Sequence, residues 1–312
     1  MNIKLYYDSY KNPKLGSGNL GDVLSKEIFS FLFGIKVCKS DMMDAECCSI
    51  GSVLDRFLEN EKNNNTYNTI NIWGSGFIED VNSNLKFSGN LNFFAVRGFL
   101  TLEKLQNIQN KNISNLTVGD PGILASLLIK QKSKKYKLGI IPHFIDYDNK
   151  IFKEINKNIK GSKIINIVGN PIDKIKEISE CEVIISTALH GIIVADSLGI
   201  PNMWCEVSNN VTGKGYKFRD YYSIYGIKNP KCLNLRDRAF DYNDLDNITK
   251  YYKINQEDVK KIQNNLISCF PYKNFIQSHN EYKESFIKKR TFSQRAKNSI
   301  KKRITRIKKC IR

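Results

Sequence analysis

Along the first 130 residues, short apolar runs alternate with longer segments whose apolar positions recur every three or four residues. The runs at 3–7, 48–50, 69–73, 92–96 and 116–118 predict buried strands. The periodic segments at 22–33, 52–58, 98–105 and 121–129 predict helices. Lys130-Gln131-Lys132-Ser133-Lys134-Lys135 is polar and charged and reads as a linker. A second series follows, with strands expected at 138–141, 164–168, 183–185 and 202–204. Helices are expected at 171–179 and 190–198, and helical material dominates after Gln256. Alternation of this kind argues for parallel sheets with helices on both faces, once per domain. The expected fold class is therefore α/β, with Rossmann-like domains at 1–130 and 136–284 facing a central ligand cleft.

The length of 312 residues suits two domains of ordinary size, and 41% hydrophobic with 26% charged residues is a globular composition. No apolar run reaches the length of a membrane span, and the first residues lack a signal-peptide apolar region. A cytoplasmic protein is the expectation. The eight cysteines are scattered, apart from the adjacent Cys47 and Cys48, and no metal-ligand spacing occurs among them or the three histidines. Reduced thiols and no metal are expected.

The net charge of +18 is concentrated at one end. After Glu284 there is no acidic residue, and twelve Lys and Arg residues leave +6 for the rest of the chain. Within this 285–312 tail, Phe292, Ala296, Ile300, Ile304, Ile307 and Ile311 recur at helical spacing. A basic amphipathic tail helix suits an anionic membrane surface, although a solvated terminal arm has the same composition. No recognised nucleic-acid-binding fold accompanies the charge, and no nucleic-acid partner is expected.

Candidate chemistry gathers where expected strands run into helices. Ile185-Ser186-Thr187-Ala188-Leu189-His190-Gly191 follows an apolar run, with Ser186 and Thr187 supplying N-cap chemistry. His190 then starts a helix beyond the carboxyl end of a strand, where open α/β sheets bind ligands and helix amides favour an anion. It suits phosphate or carboxylate binding or proton transfer there, and equally a plain cap. Gly16-Ser17-Gly18-Asn19-Leu20-Gly21-Asp22 has G-x-G-x-x-G spacing, but a polar loop separates it from its strand, which argues against a dinucleotide site. What remains is a glycine loop, including Gly18, Asn19 and Gly21, suited to close approach of an anion or sugar. Asp22 either caps the following helix or faces the cleft as an acid/base group.

Trp73-Gly74-Ser75-Gly76 is another strand-end turn, and Ala95-Val96-Arg97-Gly98 places Arg97 at a strand-to-helix junction. Arg97 suits a bidentate grip on a carboxylate or phosphate, or is a plain surface arginine. Gly119-Asp120-Pro121 reads as an ordinary cap. His143 ends the first strand of the second series, and Lys214 and Lys217 lie in a Lys- and Tyr-rich stretch suited to an anion or sugar.

Taken in order, Gly18-Asn19-Leu20-Gly21-Asp22, Trp73-Gly74-Ser75-Gly76, Ala95-Val96-Arg97-Gly98, Gly119-Asp120-Pro121, Ile141-Pro142-His143 and Leu189-His190-Gly191 resemble the polysaccharide pyruvyl transferases, especially the branch like the succinoglycan enzyme. The resemblance runs from about Ile3 to about Gly226. It implies a two-domain fold like GT-B glycosyltransferases. It also implies transfer of a pyruvyl group from phosphoenolpyruvate to two hydroxyls of one sugar, forming a cyclic ketal and releasing phosphate. Phosphoenolpyruvate is then a co-substrate, with no resident cofactor.

Arg97 and His190 match the residues associated with phosphoenolpyruvate in that family; His190, in proton transfer or phosphate contact, and Asp22, as its carboxylate partner on the opposing domain, are the expected catalytic residues. Gly74, Ser75, Gly76, His143, Ser186, Thr187, Lys214 and Lys217 complete the expected substrate-binding set. Some members carry an arginine directly before Leu-His, where this chain has Ala188, so that grip must come from Lys214, Lys217 or Arg219. The resemblance further implies a saccharide acceptor of a surface polysaccharide, in some cases lipid-linked, at the inner face of the cytoplasmic membrane. The alternatives are a GT-B glycosyltransferase using a nucleotide sugar and a noncatalytic adaptor led by the basic tail.

Overall fold

The computed structural model describes residues 2–8, 11–12, 15–58, 67–80, 86–87, 89–109 and 113–273. The expected tail helix at 285–312 lies outside the described residues. The first sheet is built from β1 (Asn2–Tyr6), β4 (Lys36–Ser40), β5 (Cys47–Cys48), β6 (Tyr67–Trp73), β7 (Gly89–Val96) and β8 (Thr117–Val118), ordered β4-β1-β5-β6-β7-β8 with every pair parallel. A two-residue antiparallel pair, β2 (Lys11–Asn12) and β3 (Gly16–Ser17), stands apart. The second sheet contains β9 (Tyr136–Ile141), β10 (Ser162–Ile164), β11 (Cys181–Ser186), β12 (Asn202–Glu206) and β13 (Cys232–Asn234), ordered β10-β9-β11-β12-β13 and again all parallel.

The helices are α1 (Leu20–Phe33), α2 (Phe99–Gln109), α3 (Lys150–Asn158), α4 (Pro171–Ser179), α5 (Leu189–Ser197), α6 (Tyr216–Ser223), α7 (Tyr242–Tyr251) and α8 (Gln256–Ser268). The segments expected as α-helices at 52–58 and 121–129 are instead 3₁₀ turns, Leu54–Phe57 and Pro121–Leu128. The second begins on Asp120, whose side chain accepts from the Gly122 amide, with proline at its first position. The expected strand at 164–168 stops at Ile164. The next residues turn away to meet the glycine loop: Leu20 N–H donates to Ile167 O at 2.9 Å and Gly169 N–H to Gly18 O at 3.0 Å.

One large apolar cluster joins the two sheets. α1 lays Leu24, Ile28, Phe29 and Leu32 along one buried stripe, against Ile123, Leu124 and Leu128 of the 3₁₀ turn and Ile192 and Ile193 of α5. Phe29, Phe33, Trp73 and Phe270 pack as an aromatic group, with Phe33 and Phe270 stacked at 3.7 Å. Trp73 Nε1–H donates to Leu266 O at 3.0 Å, so the chain returns through α8 to the first sheet. The seven described cysteines are free thiols. No described helix is long and apolar enough to cross a membrane.

Candidate active site

The carboxyl ends of β1, β9 and β11 and the start of α1 and α5 border a cavity of about 400 Å³. Its wall includes Asp8, Asn19, Asp22, Ser52 and Arg56 from the first series and His143, Ala188, His190 and Lys217 from the second. This is the strand-end position at which α/β folds bind ligands.

His190 is the second residue of α5, which begins with Ala188 as a cap lacking a side-chain acceptor. Ser186 Oγ does the local work, accepting from the Ala188 amide at 3.0 Å and donating to the Ile141 carbonyl at 2.9 Å. The imidazole is mostly covered, 11% of its surface remaining open. It sits beside Gly21, where a Cβ would come within 1.9 Å of Nδ1, and near Gly122, where one would lie 3.6 Å from Cδ2. Only glycine at position 21 lets α1 approach the ring this closely.

His190 Nε2 faces Asp120 Oδ2 at 3.5 Å, and neither atom has a hydrogen-bond partner among the described residues. Asp120 is 1% exposed, with its other oxygen fixed by Gly122 N–H at 2.8 Å. Asp120 thus caps its helical turn, as the sequence suggests, and also sets a carboxylate behind the histidine. A carboxylate placed there orients an imidazole.

Across the cavity, burial pushes the Asp22 carboxyl up to about 6, against the lowering pull of His190 and of a hydrogen bond from Asn19. Near neutrality this group exchanges protons readily, as an acid/base residue must. Burial, with Arg97 nearby, pulls the Lys217 ammonium down to about 8, and Asp22 opposes the shift. Burial and the neighbouring Lys217 and His190 lower His143 to about 3, so its ring is neutral. Its Nδ1 accepts from Ile145 N–H at 3.3 Å and its own amide donates to Thr187 Oγ1 at 2.7 Å. His143 borders the cavity as a neutral polar group, not as a cation.

Two groups enter the site that the sequence did not assign to it, Asp120 having been read there only as a cap. Arg56, on the short turn after the first-sheet strand end, meets the Asp8 carboxylate with both terminal nitrogens and donates to Tyr6 Oη at 2.6 Å. Asp120 is the other. The Arg56–Asp8 pair is long-range, and nothing local in the sequence signals it.

Several expected site residues lie away from this cavity. Arg97 does not converge with His190: it is wholly buried, and every guanidinium nitrogen is committed inside the protein. Nε donates to Asp220 Oδ2 at 2.8 Å, Nη1 to Ser52 Oγ at 2.5 Å and Nη2 to the Phe77 carbonyl. Arg97 touches the cavity only through Ser52. Gly74, Ser75 and Gly76 lie behind the wall as well. Gly74 packs on Pro121, Ser75 Oγ bonds the Ser49 carbonyl, and Gly76 leaves room for the Arg97 guanidinium, 2.5 Å from where its Cβ would be. Gly18 is a strap to residue 169 and Ser186 a buried cap, so neither borders the cavity. Thr187 and Lys214 line a neighbouring cavity, and Arg219 donates to the Lys214 carbonyl at 2.8 Å. Of the cations proposed to replace an arginine at 188, Lys217 is the one on this wall. Among the described residues no cluster of His, Cys, Asp and Glu has the makings of a metal site.

The family model for polysaccharide pyruvyl transferase matches residues 49–209, just over half of the chain. The match takes in Ser52, Arg56, Arg97, Asp120, His143 and His190. Uncharacterized protein L143 of Acanthamoeba polyphaga mimivirus is 36% identical over 140 residues, 43% of this chain and 48% of that protein. Succinoglycan biosynthesis protein ExoV of Rhizobium meliloti (strain 1021) is 25% identical over 226 residues, 71% of this chain and 66% of that protein. The chain therefore spans about half the length of the first and just under two thirds of the second. With the family model covering the strands and turns that carry His190 and Asp120, this chain belongs to the polysaccharide pyruvyl transferase family.

Proposed function

We propose that this protein transfers the pyruvyl group of phosphoenolpyruvate to two hydroxyls of one saccharide unit of a surface polysaccharide or its lipid-linked precursor. The product is a cyclic ketal and inorganic phosphate. The observation that carries the reading is the meeting of His190, Asp22 and Lys217 on one cavity, with Asp120 behind the histidine. The donor brings a phosphate and a carboxylate, so the cavity must offer cations. Lys217 is the group placed to meet them; Arg56, on the same wall, is paired with Asp8.

In the proposed reaction His190, oriented by Asp120, delivers a proton to the methylene carbon. The adjacent carbon becomes electrophilic, a sugar hydroxyl adds to it, and Asp22 takes that hydroxyl's proton. The phosphate leaves, and the second hydroxyl closes the ring. Of the two hydroxyl protons, one is made up on carbon as the methyl group and the other leaves on phosphate. Arg97 is a positioning residue, acting through Ser52 and through its grip on α6. The two parallel-sheet units at 1–130 and 136–284 then form a GT-B-like pair about this cavity. The basic segment 285–312 holds the enzyme peripherally at an anionic membrane, where lipid-linked acceptors reside.

The test is incubation of the purified chain with phosphoenolpyruvate and a polysaccharide repeat unit. Acceptor-dependent phosphate, and a product mass increased by one pyruvyl ketal, are expected. Nucleotide release from a nucleotide sugar, with no phosphate from phosphoenolpyruvate, would replace this reading by a glycosyltransferase.

A further inference from the structure

A second cavity, of about 420 Å³, opens beside the first and includes Asp146, Thr187, Trp204, Glu206, Ser208 and Lys214 on its wall. The two share a partition. Thr187 lines one and Ala188 the other, the His143 amide is tied to Thr187 Oγ1 at 2.7 Å, and the Asp146 amide donates to the His143 carbonyl at 2.9 Å. On α6, Phe218 belongs to the second cavity and the preceding Lys217 to the first.

The chemistry of the second cavity differs from that of the first. Asp146 is 3% exposed, and its Oδ1 accepts from Ser208 Oγ at 2.6 Å and Asn210 Nδ2 at 3.4 Å. Its Oδ2 is buried with no hydrogen-bond partner among the described residues. A carboxylate oxygen in that condition calls for a donor from outside the chain. Asp146 and Glu206 make a second anion unwelcome here, and the Arg236 guanidinium is occupied by Glu206, Asn234 and Asn209. Trp204 adds an aromatic wall, held by stacking on Phe218 at 4.5 Å and 8°.

The loop over it is strained. Gly213, Lys214 and Gly215 all have positive φ, and Lys214, at 43°, is the one non-glycine so placed among the described residues. Gly215 is needed because a Cβ would come within 2.4 Å of Trp204. Hydroxyl donors with an apolar face are what a buried acceptor oxygen and an indole together suit.

We infer that this cavity is the saccharide subsite, in which Asp146 Oδ2 accepts a sugar hydroxyl and Trp204 borders the ring. The inference rests on the transferase reading above. It is tested by saturation-transfer NMR on the full chain with methyl β-D-glucopyranoside and methyl β-D-galactopyranoside. Phosphoenolpyruvate-induced thermal shift is the donor control.

Saturation transfer to at least one glycoside is expected, falling at least about five-fold in Asp146→Ala while the donor shift is unchanged. Should Asp146→Ala fail to fold, Asp146→Asn replaces the accepting oxygen with a donor and is read in the same way. Equal transfer in the variant and the wild type, or none to either glycoside, overturns the subsite. If phosphoenolpyruvate gives no shift while glycoside binding depends on Asp146, the subsite stands and the donor reading falls. If the donor binds and no glycoside does, the reverse holds.

Discussion

Gly21→Ala separates the chemistry of His190 from the stability of the fold. The added methyl carbon would stand 1.9 Å from Nδ1, 2.4 Å from Cε1 and 2.5 Å from Cγ of the imidazole. Non-bonded atoms settle at about 3.5 Å, so the ring must retreat by roughly 1.5 Å. Gly122 stands near the Cδ2 edge of the ring, where a Cβ would lie 3.6 Å away. The methyl costs about 1–3 kcal/mol in overpacking, offset in part by the ~1 kcal/mol by which alanine exceeds glycine in a helix. Net destabilisation should therefore stay below about 2 kcal/mol, a few degrees in melting temperature. Displacement of a reacting group by about 1 Å costs on the order of 100-fold in rate. Phosphate release from phosphoenolpyruvate at saturating saccharide, measured beside a thermal melt, reads both effects. A folded Gly21→Ala protein turning over within about three-fold of wild type would refute the placement of His190 at the reacting atoms.

Four further outcomes are expected. Arg97→Met strands the Asp220 carboxylate, left with only Thr101 N–H and Oγ1 as donors, and should cost about 3–5 kcal/mol in chemical denaturation, part of which Arg97→Met with Asp220→Leu restores. Asp120→Asn should lower kcat by on the order of 10–100-fold with little change in donor KM, because the group orients the histidine and does not touch the donor. Lys217→Met should weaken phosphoenolpyruvate binding and abolish the loss of affinity that wild type shows as pH rises through about 8, where the ammonium loses its proton. Asp22 is held at about 6 against 3.8 for the free carboxyl, so the unfolded chain releases that proton first and wild-type stability declines as pH rises from about 4 through 6. Asp22→Asn should remove this decline, gaining up to about 3 kcal/mol above pH 6 in urea titrations and nothing below pH 4.

Both parallel sheets are legible in the sequence because their central strands are continuous apolar runs ending in glycine turns. Edge strands escape that reading. β4 is Lys-Val-Cys-Lys-Ser with no buried residue and Lys36, Cys38 and Lys39 exposed, and β13 is three residues long. α3 was missed although Ile151, Phe152 and Ile155 mark its apolar face, because charged residues dominate the segment. At the site, His190 and Asp22 are legible since position at a strand end or helix start already places a side chain on the ligand side of the sheet. Arg97 obeys the same rule, yet its surroundings are decided 123 residues later by Asp220. Arg56 with Asp8, and Asp120 with His190, are likewise products of tertiary pairing that no local window contains.

The burial of Arg97 also has a positive meaning for the site. Asp220 is held by Arg97 Nε and by both donors of Thr101, its carbonyl presses within 1.8 Å of where a Cβ of Gly98 would lie, and Phe99 N–H donates to Ser223 Oγ at 2.8 Å. One short segment of the first series therefore clamps α6, which carries Lys217 three residues before Asp220. That residue is 8% exposed, an ammonium drawn out of water near the Arg97 guanidinium, with the Asp22 carboxyl offsetting part of the cost. Two cations so arranged repel one another, and an anion bound beside Lys217 would raise its proton affinity. The clamp on α6 thus brings a lysine to the cavity that Ala188 and His190 also border. On the proposed chemistry, Arg97 then serves the donor at one remove, by fixing the cation that meets it.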